Sequence, residues 1–307
     1  MDSPPSVPDR SYTLVSTLKT FWTFWEAAEG KDLDKQVEQF QSMVARAHPE
    51  IYQEKVIGRS GGTEPFSLDK RLREWLPDLP GRIGTMRKLT EEIAFNLRNF
   101  DRTFRQAFPS FSWQGKVYFT VSVDAFDGAV RRVNGEMALL FGIDKIAKLH
   151  GSGASLEPLF HHELFHMHHG HVNPSPMDDR TLLYPLWNEG LAVFVAKKLN
   201  PDATWGQLVL SDDMVRQGTQ QLPSLAKELR PHLKGSTEAS YRDFFLGAGK
   251  RQDIPNRVGY FVGFRVVQEV AKERSLAQLV RLRGKALFDA VDGVLARFAG
   301  VPQGVAR

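Results

Sequence analysis

Six of the nine histidines in this chain lie within eleven consecutive residues, 161–171, which read HHELFHMHHGH. The stretch contains one His-Glu-x-x-His pattern, formed by His162, Glu163 and His166. Residues four apart lie one above the other on the same face of an α-helix, so both imidazoles could bind one ion. Glu163 would then reach a water molecule beside that ion. The pattern therefore requires a helix at this point of the chain.

The residues around the pattern predict that helix. Ser155 is a suitable N-cap and Gly170 a suitable C-terminal stop. Pro158 falls in the first turn, where its missing N–H group costs little. The apolar residues that would bury the helix are Leu156, Leu159, Phe160, Leu164 and Met167.

Composition excludes several other functions. The chain of 307 residues has no cysteine, so disulfides, thiolate zinc sites and cysteine nucleophiles are excluded. Its net charge is only +4 and the basic residues are dispersed, so we expect no nucleic-acid partner. No apolar run approaches the ~18 residues that span a bilayer.

The N-terminus lacks the basic segment followed by an apolar segment that is typical of a signal peptide, which predicts a cytoplasmic protein. A chain whose signal peptide had been removed would begin in the same way, so the periplasm stays an alternative.

The pattern of apolar residues predicts an α+β fold that is mostly helical. Residues 1–110 are predicted to form a helical region, whose first helix includes Leu14, Leu18, Phe21, Trp22 and Trp25 and ends at Gly30. Residues 111–307 are predicted to form a second domain. It begins with a small mixed sheet, from strands within 115–126 and 131–146 with a turn at Asn134-Gly135. Helices follow, including the one that carries the histidine pattern.

A catalytic zinc ion needs three protein ligands, so a third ligand must lie elsewhere. The candidates are His169, His171, Asp178, Asp179 and Glu189. A metzincin would have glycine and histidine where this chain has His169 and Val172, so that interpretation fails. Glu189 lies in a strongly apolar predicted helix, where a carboxylate needs a partner. That partner could be the metal ion, or Glu189 could form a structural salt bridge.

The segments HHELFH and LWNEGLA, with a loop between them, resemble the gluzincin metallopeptidases. They are most similar to the aminopeptidase N-like members, although one residue between Trp187 and Asn188 is missing here. The tail IPNRVGYFVGFRVVQEVAKE, residues 254–273, resembles the matching segment of a bacterial group described as zinc-dependent proteases. The resemblance covers about residues 115–285, and it implies that the domain is a gluzincin-like catalytic domain with a zincin-type pair of active-site helices.

The resemblance also implies roles for individual residues. One Zn²⁺ per chain would be bound by His162, His166 and Glu189, and Glu163 would be the general base. Gluzincins use a downstream tyrosine or histidine to stabilise the oxyanion, and we assign this role to Tyr260. Tyr241 and His232 are the reserve candidates, and the alternative for Tyr260 is a tyrosine that only fills the core.

Two departures from the family pattern refine these expectations. The Gly-x-Met-Glu-Asn strand that captures a free amino group is replaced here by Gly135-Glu136-Met137-Ala138-Leu139, so an endopeptidase is favoured over an aminopeptidase. Some gluzincins support a zinc ligand with a carboxylate where this chain has Val193, so support for the ligands must come from elsewhere. The strand EMALLFGI, if it forms the sheet edge above the site, could bind an extended peptide by strand addition.

The remaining histidines of the cluster, His161, His168, His169 and His171, are predicted to be solvated or to support the ligands through hydrogen bonds. The sequence as a whole thus predicts a zinc metallopeptidase with a peptide or protein substrate. A zinc hydrolase of another substrate and a catalytically silent metal-dependent binding protein stay as alternatives. The sequence does not indicate the oligomeric state.

Overall fold

The computed structural model describes residues 12–58, 65–173, 181–235, 238–246 and 251–300. The chain forms two compact units, Met1–Leu156 and Glu157–Arg307. The predicted α+β class is confirmed, because helices predominate in the described residues and a small mixed sheet lies in the first unit. The predicted division into regions 1–110 and 111–307 stays a prediction.

The first unit contains both helices and strands, with a core rich in aromatic rings. Phe24, Phe40 and Tyr52 form successive edge-to-face contacts, with ring centroids 5.2 Å apart in each pair. In chain order its elements are β1 (Thr13–Ser16), α1 (Leu18–Ala28), α2 (Leu33–Gln39), α3 (Glu54–Ile57), α4 (Leu68–Trp75), α5 (Ile83–Ala107), β2 (Lys116–Thr120), β3 (Gly128–Val133), β4 (Glu136–Gly142) and α6 (Ile143–His150).

The predicted first helix is wrong at its beginning. Residues Thr13–Ser16 form strand β1, which pairs in parallel with β2, and the helix starts only at Leu18. Leu14 is therefore 49% exposed, instead of lying on the buried face of a helix. Because strand pairing is a long-range contact, local periodicity could not predict it. The stop at Gly30, which has a φ of +77°, agrees with the prediction.

The sheet has the strand order β1-β2-β4-β3, in which only β3 is antiparallel to its neighbour. The predicted turn between β3 and β4 is confirmed: Asn134 and Gly135 both have positive φ, at 51° and 83°. Such a pair fits a two-residue hairpin turn. Strand β4 corresponds to EMALLFGI, and it pairs on both sides. The condition for strand addition at EMALLFGI, that this strand forms the sheet edge, is therefore not met, since β3 and β1 lie at the edges.

The second unit consists of helices in its described residues. They are α7 (Leu156–Val172, which starts at the last residue of the first unit), α8 (Leu183–Leu199), α9 (Asp212–Leu229), α10 (Glu238–Tyr241), α11 (Val258–Val270), α12 (Leu276–Arg281) and α13 (Gly284–Phe298). A π-helical turn, Arg242–Leu246, follows α10. None of the helices in the described ranges is long and apolar enough to cross a membrane.

Helix α9 forms although it contains Gly218 and Pro223, which both disfavour a helix. An N-cap hydrogen bond and packing against α11 stabilise this helix. Ser211 caps the helix by accepting a hydrogen bond from the N–H of Met214 at 3.0 Å. Gly218 is needed for packing, because a β-carbon there would lie 2.6 Å from the ring of Phe261.

Candidate metal centre

Helix α7 carries the histidine pattern and presents two imidazoles side by side. The Nε2 atoms of His162 and His166 lie 3.0 Å apart, and the ring centroids are separated by 4.7 Å. This is the result of their spacing by four residues along one helix face. The helix extends to Val172, so the predicted stop at Gly170 is two residues early. At the beginning of the helix, Glu92 accepts hydrogen bonds from both the hydroxyl of Ser155 and the N–H of Leu156.

Helix α8 brings Glu189 to the same point. Its Oε2 atom lies 3.3 Å from the Nε2 atom of His162 and 3.3 Å from that of His166. The side chains of Glu189, His162 and His166 are 21%, 4% and 16% exposed, so the triangle of donor atoms is mostly shielded from solvent. They form a group of three residues that could hold a metal ion.

The donor set fits a zinc ion. Zinc is bound by imidazole nitrogen and carboxylate oxygen with distances of about 2.0–2.2 Å. Tetrahedral ligands at about 2.0 Å lie about 3.3 Å from one another. The observed separations of 3.0 and 3.3 Å agree with three corners of such a tetrahedron. A catalytic zinc site uses three protein ligands and leaves its fourth position open.

Of the other candidates for a third ligand, the structure describes His169 and His171, and neither belongs to the triangle. Nδ1 of His169 lies 2.8 Å from Oδ1 of Asn188, and His171 is exposed near the end of α7. Asp178 and Asp179 lie outside the described residues. Among the candidates that the structure describes, Glu189 is the one that joins the two histidines of the pattern.

The charges within the triangle are strongly coupled. Burial acts to lower the pKa of His166, but the carboxylate of Glu189 outweighs it and raises that pKa to about 9. Burial acts to raise the pKa of Glu189, yet the two histidines hold it far below its usual range. For His162, burial dominates and lowers the pKa, so this ring stays neutral at neutral pH. The triangle therefore joins one carboxylate, one neutral imidazole and one imidazole that readily takes a proton.

Asn188, to which the sequence assigned no role, is the residue that supports the histidines. Its Nδ2 atom lies 3.0 Å from Nδ1 of His166 and its Oδ1 atom lies 2.8 Å from Nδ1 of His169. By contrast, Nδ1 of His162 is buried and makes no hydrogen bond to any part of the chain that the structure describes, and Val193 is a completely buried apolar residue. Of the two proposed ligand rings, Asn188 thus supports that of His166. The sequence feature that could have indicated this role is the position of Asn188 directly before Glu189, on the helix that must face α7 if Glu189 is a ligand.

Glu163 and Tyr260 both lie close to the triangle. The charge of Glu163, half-buried on α7, contributes to raising the pKa of His166 and that of Tyr260. The ring of Tyr260, from α11, stacks on that of His162 with centroids 6.4 Å apart and an angle of 15°. Burial raises the pKa of Tyr260 far above its usual range, with Glu189 acting in the same direction. Its hydroxyl therefore keeps its proton and stays a hydrogen-bond donor at any physiological pH.

Arg257 places a positive charge at the border of the site. Its guanidinium lies 4.4 Å from the ring centroid of Tyr260, a cation–π contact. The residue precedes α11 and has a φ of +59°, a left-handed conformation that is uncommon for a residue with a side chain. Of the reserve candidates, Tyr241 stacks on Phe245, while His232 lies in the turn after α9 and its carbonyl accepts the N–H of Leu182.

The remaining histidines of the cluster are less solvated than expected. His161 is completely buried and its Nδ1 atom lies 2.9 Å from Nδ2 of Asn200. His168 is 4% exposed, and burial lowers its pKa to about 4. His171 is exposed, as predicted. His161 and His168 are seven residues apart and therefore lie on the same face of α7, and both are buried.

Two helices thus hold two imidazoles and a carboxylate around one point, and such a group could bind a metal ion such as zinc. Residues 133–288, about half of the chain, match the family described as Predicted Zn-dependent protease (DUF2268), and the chain belongs to this family. Comparisons with curated proteins and with solved structures find no match. The matched residues include all of the predicted site, and the family's description suggests a zinc-dependent protease.

Proposed function

We propose that this protein is a metallopeptidase of the gluzincin type, which binds one Zn²⁺ per chain and hydrolyses peptide bonds. His162, His166 and Glu189 would hold the ion. The observation that supports this most directly is the triangle of two Nε2 atoms and one carboxylate oxygen, with separations of 3.0 and 3.3 Å. The family's description is consistent with it.

A zinc ion bound there supplies Lewis acidity, which polarises the substrate carbonyl and lowers the pKa of a water molecule to about 7. Glu163 takes one proton from the attacking water onto its carboxylate and delivers it to the nitrogen of the leaving amine. The C–N bond breaks as this proton arrives, and the water oxygen stays on the new carboxyl group. Its place on α7, one residue after His162, keeps Glu163 beside the triangle.

Tyr260 is the proposed donor to the oxyanion that develops on the substrate carbonyl oxygen. Its raised pKa keeps the phenol protonated, and its stacking on His162 holds the ring next to the triangle. Arg257, in contact with the same ring, adds positive charge where the substrate becomes negative or ends in a carboxylate.

The substitution Glu163→Gln would keep the shape of the site, but the new side chain could not take a proton.

The deciding experiment combines metal analysis with a peptide-library digest of the parent protein and Glu163→Gln. We expect about one zinc per chain in both proteins, and cleavage by the parent that falls ~10²-fold or more in the variant. Equal cleavage by the two proteins would exclude Glu163 as the base. Zinc without peptide cleavage, followed by turnover of esters or other amides, would point to a different hydrolase.

A further inference from the structure

One carboxamide links a proposed metal ligand to a histidine that binds no metal. Asn188 lies between two rings of α7, with its two amide atoms 3.0 Å from Nδ1 of His166 and 2.8 Å from Nδ1 of His169. These rings are three residues apart, so they belong to neighbouring turns of one helix face. The amide has one donor group and one acceptor atom. If Nδ1 of one ring donates to the amide, Nδ1 of the other ring must therefore accept from it.

The ring of His169 is held firmly in place. It is completely buried and stacks on Phe165, with centroids 5.5 Å apart and an angle of 14°, and on Tyr184 at 6.4 Å and 10°. Complete burial favours the neutral imidazole, which has one N–H group and one lone pair. Which of its nitrogens carries the proton is set by the hydrogen bonds that the ring makes.

Metal binding fixes the direction of both hydrogen bonds. If Nε2 of His166 donates its lone pair to a metal, Nδ1 of the same ring carries the proton and needs an acceptor. The only acceptor atom of the Asn188 carboxamide is its oxygen. The structure has the amide nitrogen on the His166 side, and a half-turn of the carboxamide exchanges the two atoms without moving either ring. The nitrogen then donates to Nδ1 of His169.

We propose that His169 is a positioning residue for the metal centre, which acts through Asn188. In the zinc-bound protein, Nδ1 of His169 accepts from the amide nitrogen, and the proton of this ring is on Nε2, which is buried and makes no hydrogen bond to the described residues. This arrangement points the amide oxygen at His166 and holds that ring with its Nε2 lone pair directed at the ion. The inference rests on the metal site of the proposed function but does not depend on hydrolysis.

The first test measures zinc affinity by competition with a chelator. His169→Phe keeps an aromatic ring against Phe165 and Tyr184 but removes the acceptor, and it should weaken zinc binding by about 10- to 100-fold. His169→Asn places an amide oxygen near the position of Nδ1 and should recover part of the loss. His168→Phe is the matched control, since it changes the adjacent buried histidine of the same helix, and its affinity should equal that of the parent.

The second test determines which ring nitrogen of each histidine carries the proton, from ¹⁵N chemical shifts of the zinc-loaded parent protein. We expect the Nδ1–H form for His166 and the Nε2–H form for His169. The Nδ1–H form at His169 would overturn the proposal, even if His169→Phe failed to fold. Unchanged affinity in His169→Phe would overturn it as well and leave the proposed function intact, whereas a parent protein that binds no zinc would overturn both.

Discussion

Gly190 of α8 and Gly263 of α11 bring the backbones of the two helices into direct contact. A β-carbon on Gly190 would lie 2.2 Å from the carbonyl carbon of Gly263, and one on Gly263 would lie 2.2 Å from the carbonyl oxygen of Leu186. Glu189 precedes the first glycine, and Tyr260 lies one turn before the second. The close crossing thus sets the distance between a proposed metal ligand and the proposed oxyanion donor.

We therefore predict that Gly263→Ala destabilises the protein and disturbs the site. The added methyl group meets backbone atoms that cannot rotate away, and overpacking of this kind typically costs 1–3 kcal/mol or more. Thermal unfolding and zinc affinity should both report the change. Gly293→Ala in α13 is the control, because a β-carbon there meets only the end of Arg297 at 3.9 Å. It should be neutral or stabilising by up to ~1 kcal/mol, and an equal loss of stability in both variants would exclude the crossing as the cause.

The main residues of the candidate site could be predicted from the sequence. The spacing of His162 and His166 predicted their shared helix face, and the carboxylate in an apolar helix predicted a partner for Glu189. Both arguments use local chemistry. The partners of Gly259 and Gly263 were not predicted. Gly263 meets the backbone of α8, whereas a β-carbon on Gly259 would meet Phe244 and Phe245.

The features that the sequence did not predict depend on contacts between distant segments. Strand β1 forms because Thr13–Ser16 pair with β2, which lies about a hundred residues further along the chain. Asn188 has a role because helix α8 faces α7 at the level of His166 and His169. Neither partner could be inferred from local periodicity, which describes only the chain nearby.

We predict that zinc affinity rises with pH in a way that depends on Glu189. The pKa of His166 is raised to about 9 by this carboxylate, so between pH 6.5 and about 9 zinc must displace one proton from the ring. The apparent association constant should therefore rise by about tenfold per pH unit in this range and level off above it. Chelator competition at several pH values measures it.

Glu189→Ala is the matched variant for this prediction. It removes both a proposed ligand and the charge that raises the pKa of His166, so zinc binding should weaken sharply and its dependence on pH above about 6.5 should disappear. Unchanged zinc affinity in Glu189→Ala would remove this residue from the metal site. A loss of affinity with the pH slope unchanged would assign the displaced proton to another group.

We predict an endopeptidase rather than an aminopeptidase preference. The segment from Gly135 to Leu139 lacks the Met-Glu-Asn order that captures a free amino group in the aminopeptidase N-like enzymes. Peptides with a blocked N-terminus should therefore be cleaved at least as fast as the same peptides with a free amino group, as measured by kcat/KM. Faster cleavage of short substrates with a free amino group would contradict this.

The last prediction concerns the hydroxyl of Tyr260. An oxyanion donor makes its hydrogen bond mainly in the transition state, so Tyr260→Phe should lower kcat by ~10²-fold with little change in KM. The ring that stacks on His162 is kept in this variant, and zinc affinity and the melting temperature should therefore stay near those of the parent. Tyr241→Phe is the control, because that ring stacks on Phe245 and should leave kcat unchanged. If Tyr260 only fills the core, the result is reversed: kcat stays nearly normal, and the effect of the substitution appears in the melting temperature.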